Sequence, residues 1–278
     1  MTMAQRSDEI ILTAAIVGAE VTREQTPYVP YTAEEIAAEA RRCCDAGAAV
    51  IHLHVREPDG RPTQSAARFA EAIAAIREAC DVVVQTSTGG AVGMSVQERV
   101  QPLACRPEMA TLNCGTINFG DAIFENSLPQ MREIARCIRE AGAVPELELY
   151  EVGHIDNALI LAKEGLIAPP YHVQFVLGVR GAAGARPEVL RFFVSQLPPE
   201  SSWGVAAVGR HQLSMAELAT EMGGNVRVGL EDNIYLERGV LSEGSAPLVA
   251  RAAAIARARG REPVSAARVR AMLGITAP

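Results

Sequence analysis

Lysine is almost missing from this chain: Lys163 is the single one among 26 basic residues. Any chemistry that needs an amine nucleophile therefore has one candidate. Aromatic residues make up only 4%, so the core must be built from Ala, Val, Ile and Leu. No apolar run reaches the roughly 18 residues of a membrane helix. Asp8 and Glu9 stand where a signal peptide would carry its apolar stretch. The six cysteines form no C-x-x-C pair and read as reduced, mostly buried thiols of a cytoplasmic protein. Positive charge is not in excess either. The net charge of −7 argues against a nucleic-acid partner. No G-x-x-x-x-G-K-[ST], no G-x-G-x-x-G after a strand and no G-x-S-x-G occurs, which leaves phosphate-loop, dinucleotide and nucleophile-elbow chemistry without support.

What is there is a regular alternation. Strands are expected over Glu9–Val17, Ala48–Val55, Asp81–Ser87, Met109–Cys114, Val144–Tyr150, His172–Leu177, Trp203–Val208 and Val226–Leu230. Each is a near-continuous apolar run, as a sheet covered on both faces requires. Helical patterns follow each strand. They start at Thr32, with Glu35 completing a capping box, at Ser65, near Ser95 with Glu98, at Leu128, near Ile155, at Pro187, at Ser214 and at Ala246. A last segment, Ser265–Leu273, reads as an extra terminal helix. Eight β-then-α units in 278 residues, with no linker, predict one (β/α)8 TIM barrel spanning 1–278, of the α/β class, with a short C-terminal helical extension. An open doubly wound sheet alternates in the same way. The unit count and the polar residues at strand C-terminal ends favour the barrel.

In I-H-L-H-V-R, His52 and His54 are two apart on a predicted strand and share a face, which in a barrel is the interior. Two imidazoles side by side make half a tetrahedral Zn²⁺ site. Two buried histidines bonded to neighbours are the alternative. The eighth strand ends in Gly229-Leu230-Glu231-Asp232-Asn233. Glu231 would complete a His₂Glu set with an open coordination position. Asp232 would then be available as a general base, and Arg227 could clamp a substrate carboxylate. Helix capping by Glu231-Asp232 and a structural ion pair for Arg227 are the bland counterparts. Glu146 and Glu148 are again two apart on an apolar strand, where a carboxylate is costly unless paired or hydrated. Glu148, nearer the active-site end, is the better site candidate. Ser87-Thr88-Gly89-Gly90 offers donors for an anionic group or is a tight turn. Thr111, Asn113 and Thr116 could equally satisfy backbone groups, and Glu20 sits in the first loop. Lys163 falls in the helix after the fifth strand, outside the barrel, so a Schiff-base route is closed and carbonyl chemistry has to use a metal.

The stretches GAEVTRE, VPYTAEEIAAEA, AAVIHLHVRE, QTSTGGAVGM, TLNCGTINFG, PELELYE and VGLEDNIY run in order from Gly18 to Tyr235. Together they resemble the β-keto acid cleavage enzymes. The resemblance implies Zn²⁺ on His52, His54 and Glu231, Asp232 as base, Arg227 as catalytic and orienting arginine, and Glu148 as an acidic residue beside the substrate. Ser87, Gly90 and Thr111 resemble substrate-contacting positions. Glu20 resembles a residue that meets an amino group, which favours an amino-bearing β-keto acid such as 3-keto-5-aminohexanoate. The implied reaction exchanges acyl partners with acetyl-CoA as co-substrate, giving 3-aminobutyryl-CoA and acetoacetate in lysine degradation. A cytoplasmic homo-oligomer, a tetramer, is implied too, with no nucleic-acid or membrane partner. Two rivals stand beside this. A zinc amidohydrolase also uses H-x-H, but on strand 1, and needs histidines ending strands 5 and 6; here His172 starts strand 6 and only His154 lies near strand 5. A non-catalytic metal-binding barrel would have little use for several polar clusters at strand ends.

Overall fold

Apolar residues alternating along short strands are buried here between two layers, and the layers close on themselves. In the computed structural model, which describes residues 8–199 and 201–275, eight parallel strands form a closed barrel. They are β1 (Leu12–Ala15), β2 (Val50–Leu53), β3 (Val83–Thr86), β4 (Met109–Asn113), β5 (Val144–Leu149), β6 (Tyr171–Leu177), β7 (Ser201–Ala207) and β8 (Asn225–Val228). Each pairs in parallel with its sequence neighbours, and β8 pairs with β1 through Arg227↔Thr13 to seal the cylinder. Residues 1–7, on which part of the expectation of no leader rests, lie outside the described residues.

The helices form the outer ring. They are α1 (Ala33–Ala46), α2 (Ala66–Ala79), the short α3 (Val96–Arg99), α4 (Leu128–Ala141), α5 (Gly153–Lys163), α6 (Pro187–Ser195), α7 (Gln212–Met222) and α8 (Ala246–Ala258). The expected capping box opens α1: Thr32 Oγ1 accepts from Glu35 N–H at 3.2 Å, and Glu35 Oε2 accepts from Thr32 N–H at 3.0 Å. Two donors that a helix start leaves unpaired are thus satisfied. In α4, Met131, Ile134, Ala135 and Ile138 are buried, one stripe at helical spacing turned onto the barrel. No helix among the described residues is long and apolar enough to cross a membrane.

The strands differ from the continuous apolar runs expected. Their outward residues (Leu12, Ile51, Val84, Leu112, Leu147, Phe175) pack under the helices in the main core. Between these, a polar set is buried: Thr13, His52, Gln85, Thr111, Glu146, Glu148, His172, Gln174 and Arg227. Side chains two apart share a face of a strand, so this second set lines the barrel's interior. Below it, α9 (Ala266–Leu273) places Val269 and Leu273 against Val50, Val83 and Met109, an apolar plug at the N-terminal mouth. Access is left to the opposite mouth. There, small hairpins that the sequence did not announce rise from the loops, at Ile117–Phe119 with Ala122–Phe124 and at Tyr235–Glu237 with Val240–Leu241.

Candidate active site

Two glycines bring the eighth loop over the barrel. Gly229 has φ +151°, and a Cβ there would overlap the carbonyl oxygen of Ala15. Only a bare backbone can come so close. Ala15 O instead accepts from Glu231 N–H at 3.2 Å, which carries the Glu231 side chain across the end of β1 towards β2. Gly18, with φ +69°, clears the other side: a Cβ there would stand 2.7 Å from Glu231 Cγ.

β2 ends at Leu53, one residue short of His54, because Val55–Arg56 leave the barrel to pair with Pro62–Thr63. His52 and His54 still come together, with ring centroids 5.2 Å apart. Glu231 Oε1 lies 3.5 Å from His52 Nε2 and 3.7 Å from His54 Nε2. One ligand atom from each of the three residues falls within 4.8 Å of the others. Strands 2 and 8 are not neighbours, and β1 stands between them.

Three observations make this set a fit for a divalent cation. Gln85 Oε1 lies 2.7 Å from His52 Nδ1, so Nδ1 donates and Nε2 is the atom turned to Glu231; burial and Arg227 work to lower the His52 imidazole, and Glu231 raises it. Burial pushes His54 down to about 4, leaving its imidazole neutral at pH 7. Glu231 Oε2 is buried without any hydrogen-bond partner. A carboxylate facing two imidazole nitrogens at these distances calls for positive charge between them, a proton or a metal ion.

Beside the set, the Arg227 guanidinium holds three carboxylates. Its Nε and Nη2 donate to the two Asp232 oxygens at 3.0 Å each, Nη1 to Glu148 Oε1 at 3.1 Å and Nη2 to Glu231 Oε1 at 2.5 Å. All of these groups are at least largely buried. Burial raises the Glu148 carboxyl to about 7, against the pull of Arg227. Burial also raises Asp232, again opposed by Arg227. Glu231 goes the other way: burial works to raise it, but Arg227, His52 and His54 hold it well below the carboxylate range. One arginine against three carboxylates, with Glu148 part-protonated near pH 7, leaves a net negative charge that favours a cation.

These residues line one cavity of about 440 Å³, together with Glu20, Ser87, Gly90 and Asn113. Of the expected residues, Thr111 stands apart. It is fully buried behind the wall, where its hydroxyl accepts from Thr88 N–H at 3.1 Å and its carbonyl from Thr88 Oγ1 at 2.6 Å. Thr116 likewise accepts from Asn126 N–H. Asn113, which the sequence left open between a site group and a backbone partner, is 1% exposed and neither side-chain polar atom has a partner. An unsatisfied buried amide on a cavity wall is a candidate binding group. Its period-two register with Thr111 was the available signal. The paired carboxylate Glu146 faces His172 Nε2 at 3.3 Å deeper in the barrel, away from the cavity wall. His154 sits in α5, its Nδ1 accepting from Tyr150 N–H at 3.2 Å. Neither His154 nor His172 lines the cavity, so the further histidines of an amidohydrolase do not join this site. Lys163 is exposed on α5, outside the barrel as expected.

The chain is 50% identical over 270 residues to a 3-keto-5-aminohexanoate cleavage enzyme of Fusobacterium nucleatum subsp. nucleatum, covering 96% of this chain and 98% of that one. It is 49% identical over 271 residues to the enzyme of the same name from Acetoanaerobium sticklandii, covering 97% and 99%. A 3-oxoadipate:acetyl-CoA acetyltransferase of Cupriavidus necator is 35% identical, with 95% and 94% covered. Among solved structures, apo ObcA superposes with a TM-score of 0.79 at 21% identity, over 90% of this chain and 66% of that one, a likeness of fold. The β-keto acid cleavage enzyme family matches residues 9–275, and this chain is an enzyme belonging to that family.

Proposed function

We propose that this enzyme exchanges acyl partners between 3-keto-5-aminohexanoate and acetyl-CoA, releasing 3-aminobutyryl-CoA and acetoacetate. The names of its relatives support the reaction class. The observation that carries the reading is the division of labour at the cavity floor. Glu231 belongs to the His52–His54 set, while Asp232, one residue on, is turned to Arg227 and the cavity.

The balance of the reaction requires C2 of the keto acid to lose a proton and take the acetyl group as the CoA thiolate leaves; the thiolate then bonds to C3, the C2–C3 bond breaks and C2 takes a proton back. Asp232 is the group to take the proton that C2 first loses, because Arg227 fixes both of its oxygens and orients the carboxylate. Arg227 also stabilises negative charge that develops beside it, in a site where burial strengthens the effect. Glu148, raised to about 7, exchanges a proton near neutral pH and is placed to hold one beside the reacting carbons. Zn²⁺ on His52, His54 and Glu231 would supply Lewis-acid polarisation of the keto oxygen. Ser87, Gly90 and Asn113 form the wall that receives the substrate carboxylate, with Thr111 bracing that wall through Thr88. Glu20, exposed at the cavity edge, meets the substrate's ammonium group. The proposal extends to a single-unit barrel over 1–278, working as a cytoplasmic homo-tetramer in lysine degradation.

A panel of cationic, neutral and dianionic β-keto acids, each assayed with acetyl-CoA for acyl-CoA formation, tests the reading. The aminated acid is expected to have the highest kcat/KM, and Glu20→Gln to erase most of that preference. A wild-type preference for a neutral or dianionic acid would overturn the substrate assignment.

A further inference from the structure

The eight loops at the open mouth differ sharply in charge. The loop after β6 (178–186) holds Arg180 and Arg186 and no acidic residue. The loop after β7 (208–211) holds Arg210 and His211 and again no acidic residue. The loop after β3 (87–95) is uncharged, that after β2 (54–65) is balanced, and those after β1, β4, β5 and β8 are net negative. The only basic sector of the mouth is therefore two adjacent loops, on a protein whose net charge is −7.

The two loops form one surface with a direct line to the reacting groups. They join where Val208 N–H donates to Leu177 O at 2.9 Å. Asp232 O accepts from Gly209 N–H at 2.7 Å, so the loop that carries Arg210 is also fastened to the residue beside the cation set. Between the arginines and the cavity floor runs an apolar wall, Val176, Val179 and Val208, which packs with Phe119, Phe124 and Tyr150. Arg180 lines the cavity edge itself. Its partner is Asp121 across the mouth at 2.5 Å, and both side chains are more than three-quarters exposed, a pairing that water and an incoming anion can replace. Arg210 has no acidic partner among the described ion pairs; its Nε points to His211 Nε2 at 3.4 Å. The floor, by contrast, carries Glu148, Glu231 and Asp232, which repel a polyanion.

From this geometry we infer that Arg180 and Arg210 form the recognition site for the nucleotide phosphates of the acyl-CoA. The phosphates rest on the loops after β6 and β7, and the pantetheine arm follows the Val176–Val179–Val208 wall down to the floor. His211 and Arg186 flank the site. The β-keto acid, with its ammonium group, takes the Glu20 side of the cavity, so the two substrates enter over rims of opposite charge. This inference rests on the proposed use of acetyl-CoA. It concerns where the co-substrate is held, and neither arginine touches the reacting carbons.

Calorimetric binding of CoA and of pantetheine, which lacks the nucleotide, tests it on the intact protein. Wild type is expected to bind CoA at least about tenfold more tightly than pantetheine, with an affinity that falls as salt rises. The double variant Arg180→Gln/Arg210→Gln is expected to lose about tenfold in CoA affinity and nothing in pantetheine affinity. In turnover, KM for acetyl-CoA should rise by a similar factor while kcat and the KM for the β-keto acid stay the same. Arg61→Gln, on the balanced loop after β2, is the charge control and should change neither ligand's binding. Equal CoA affinity in wild type and double variant would overturn the inference, as would an equal loss for CoA and pantetheine. Absence of acetyl-CoA turnover in a wild type that still binds CoA through these arginines would instead overturn the proposed reaction.

Discussion

Replacing Arg227 by methionine removes the one cation that three buried carboxylates share, while keeping much of the side chain's volume. Arg227 donates four hydrogen bonds, two to Asp232 and one each to Glu148 and Glu231. Hydrogen bonds to charged groups contribute about 1.5–3 kcal/mol each, so a simple sum overshoots. The carboxylates respond by taking up protons, as Glu148 does already at about 7. A loss of about 3–5 kcal/mol, the usual result of stripping one partner from a buried ion pair, is the reasoned value. For a chain of this size that is a fall in Tm of about 5–9 °C. The sign of the pH dependence follows from Glu148. Its folded-state pKa lies above the ordinary 4.5, so it favours folding below that value and loses this contribution as pH rises through about 7. Arg227→Met should therefore lose more at pH 8 than at pH 6, and adding Glu148→Gln should restore part of the loss at pH 8. Thermal unfolding in EDTA, with wild type, both single variants and the double variant, measures this coupling. A Tm for Arg227→Met within about 2 °C of wild type at pH 8 would refute the charge accounting.

Removing metal with EDTA should lower Tm, and Zn²⁺ at a hundredfold excess over its Kd should return about 2.7 kcal/mol. Glu231→Gln should abolish that response, and a wild type with equal Tm with and without zinc, and no copurifying metal, refutes the His52–His54–Glu231 site. Gly229→Ala, whose Cβ would overlap Ala15 O, should lower Tm by more than about 6 °C. Gly18→Ala, at a left-handed φ that alanine adopts at a cost of about 1–2 kcal/mol, should mainly weaken zinc binding by displacing Glu231; loss of folding without loss of zinc affinity would contradict this. Burial holds His154 at about 4, below the ordinary 6.5, so its contribution to stability is present above pH 6.5 and lost as pH falls towards 4. That loss is about 3 kcal/mol, and chemical denaturation of wild type and His154→Gln at pH 7.5 and 4.5 should show the gap between them closing in acid. A gap that stays constant would show that His154 is not the titrating group.

Much of the frame was legible because local rules act locally. Thr32 and Glu35 cap α1 by contacts three residues apart, and Pro187 opens α6 by its fixed φ. His52 and His54 could be placed together because strand geometry puts residues two apart on one face, and this survived even the break at His54. The interior was harder to read. Thr13, Gln85 and His172 lie among apolar neighbours in the sequence, and only the closed barrel turns every second residue onto a shared polar axis.

The order of strands, the absence of an interior lysine and the shared face of the two histidines were determined by the sequence itself, since each depends on spacing along one segment. The meeting of Glu231 with those histidines was decided by the tertiary structure, because it needs β1 to stand between β2 and β8 and Gly229 to let the backbones touch. So was the charge of the mouth. Arg180 and Arg210 are 30 positions apart and unremarked in the chain, and they become one surface only because β6 and β7 are neighbours in the barrel. Electrostatic fields add in space, and the sequence order of the charges has no part in that sum.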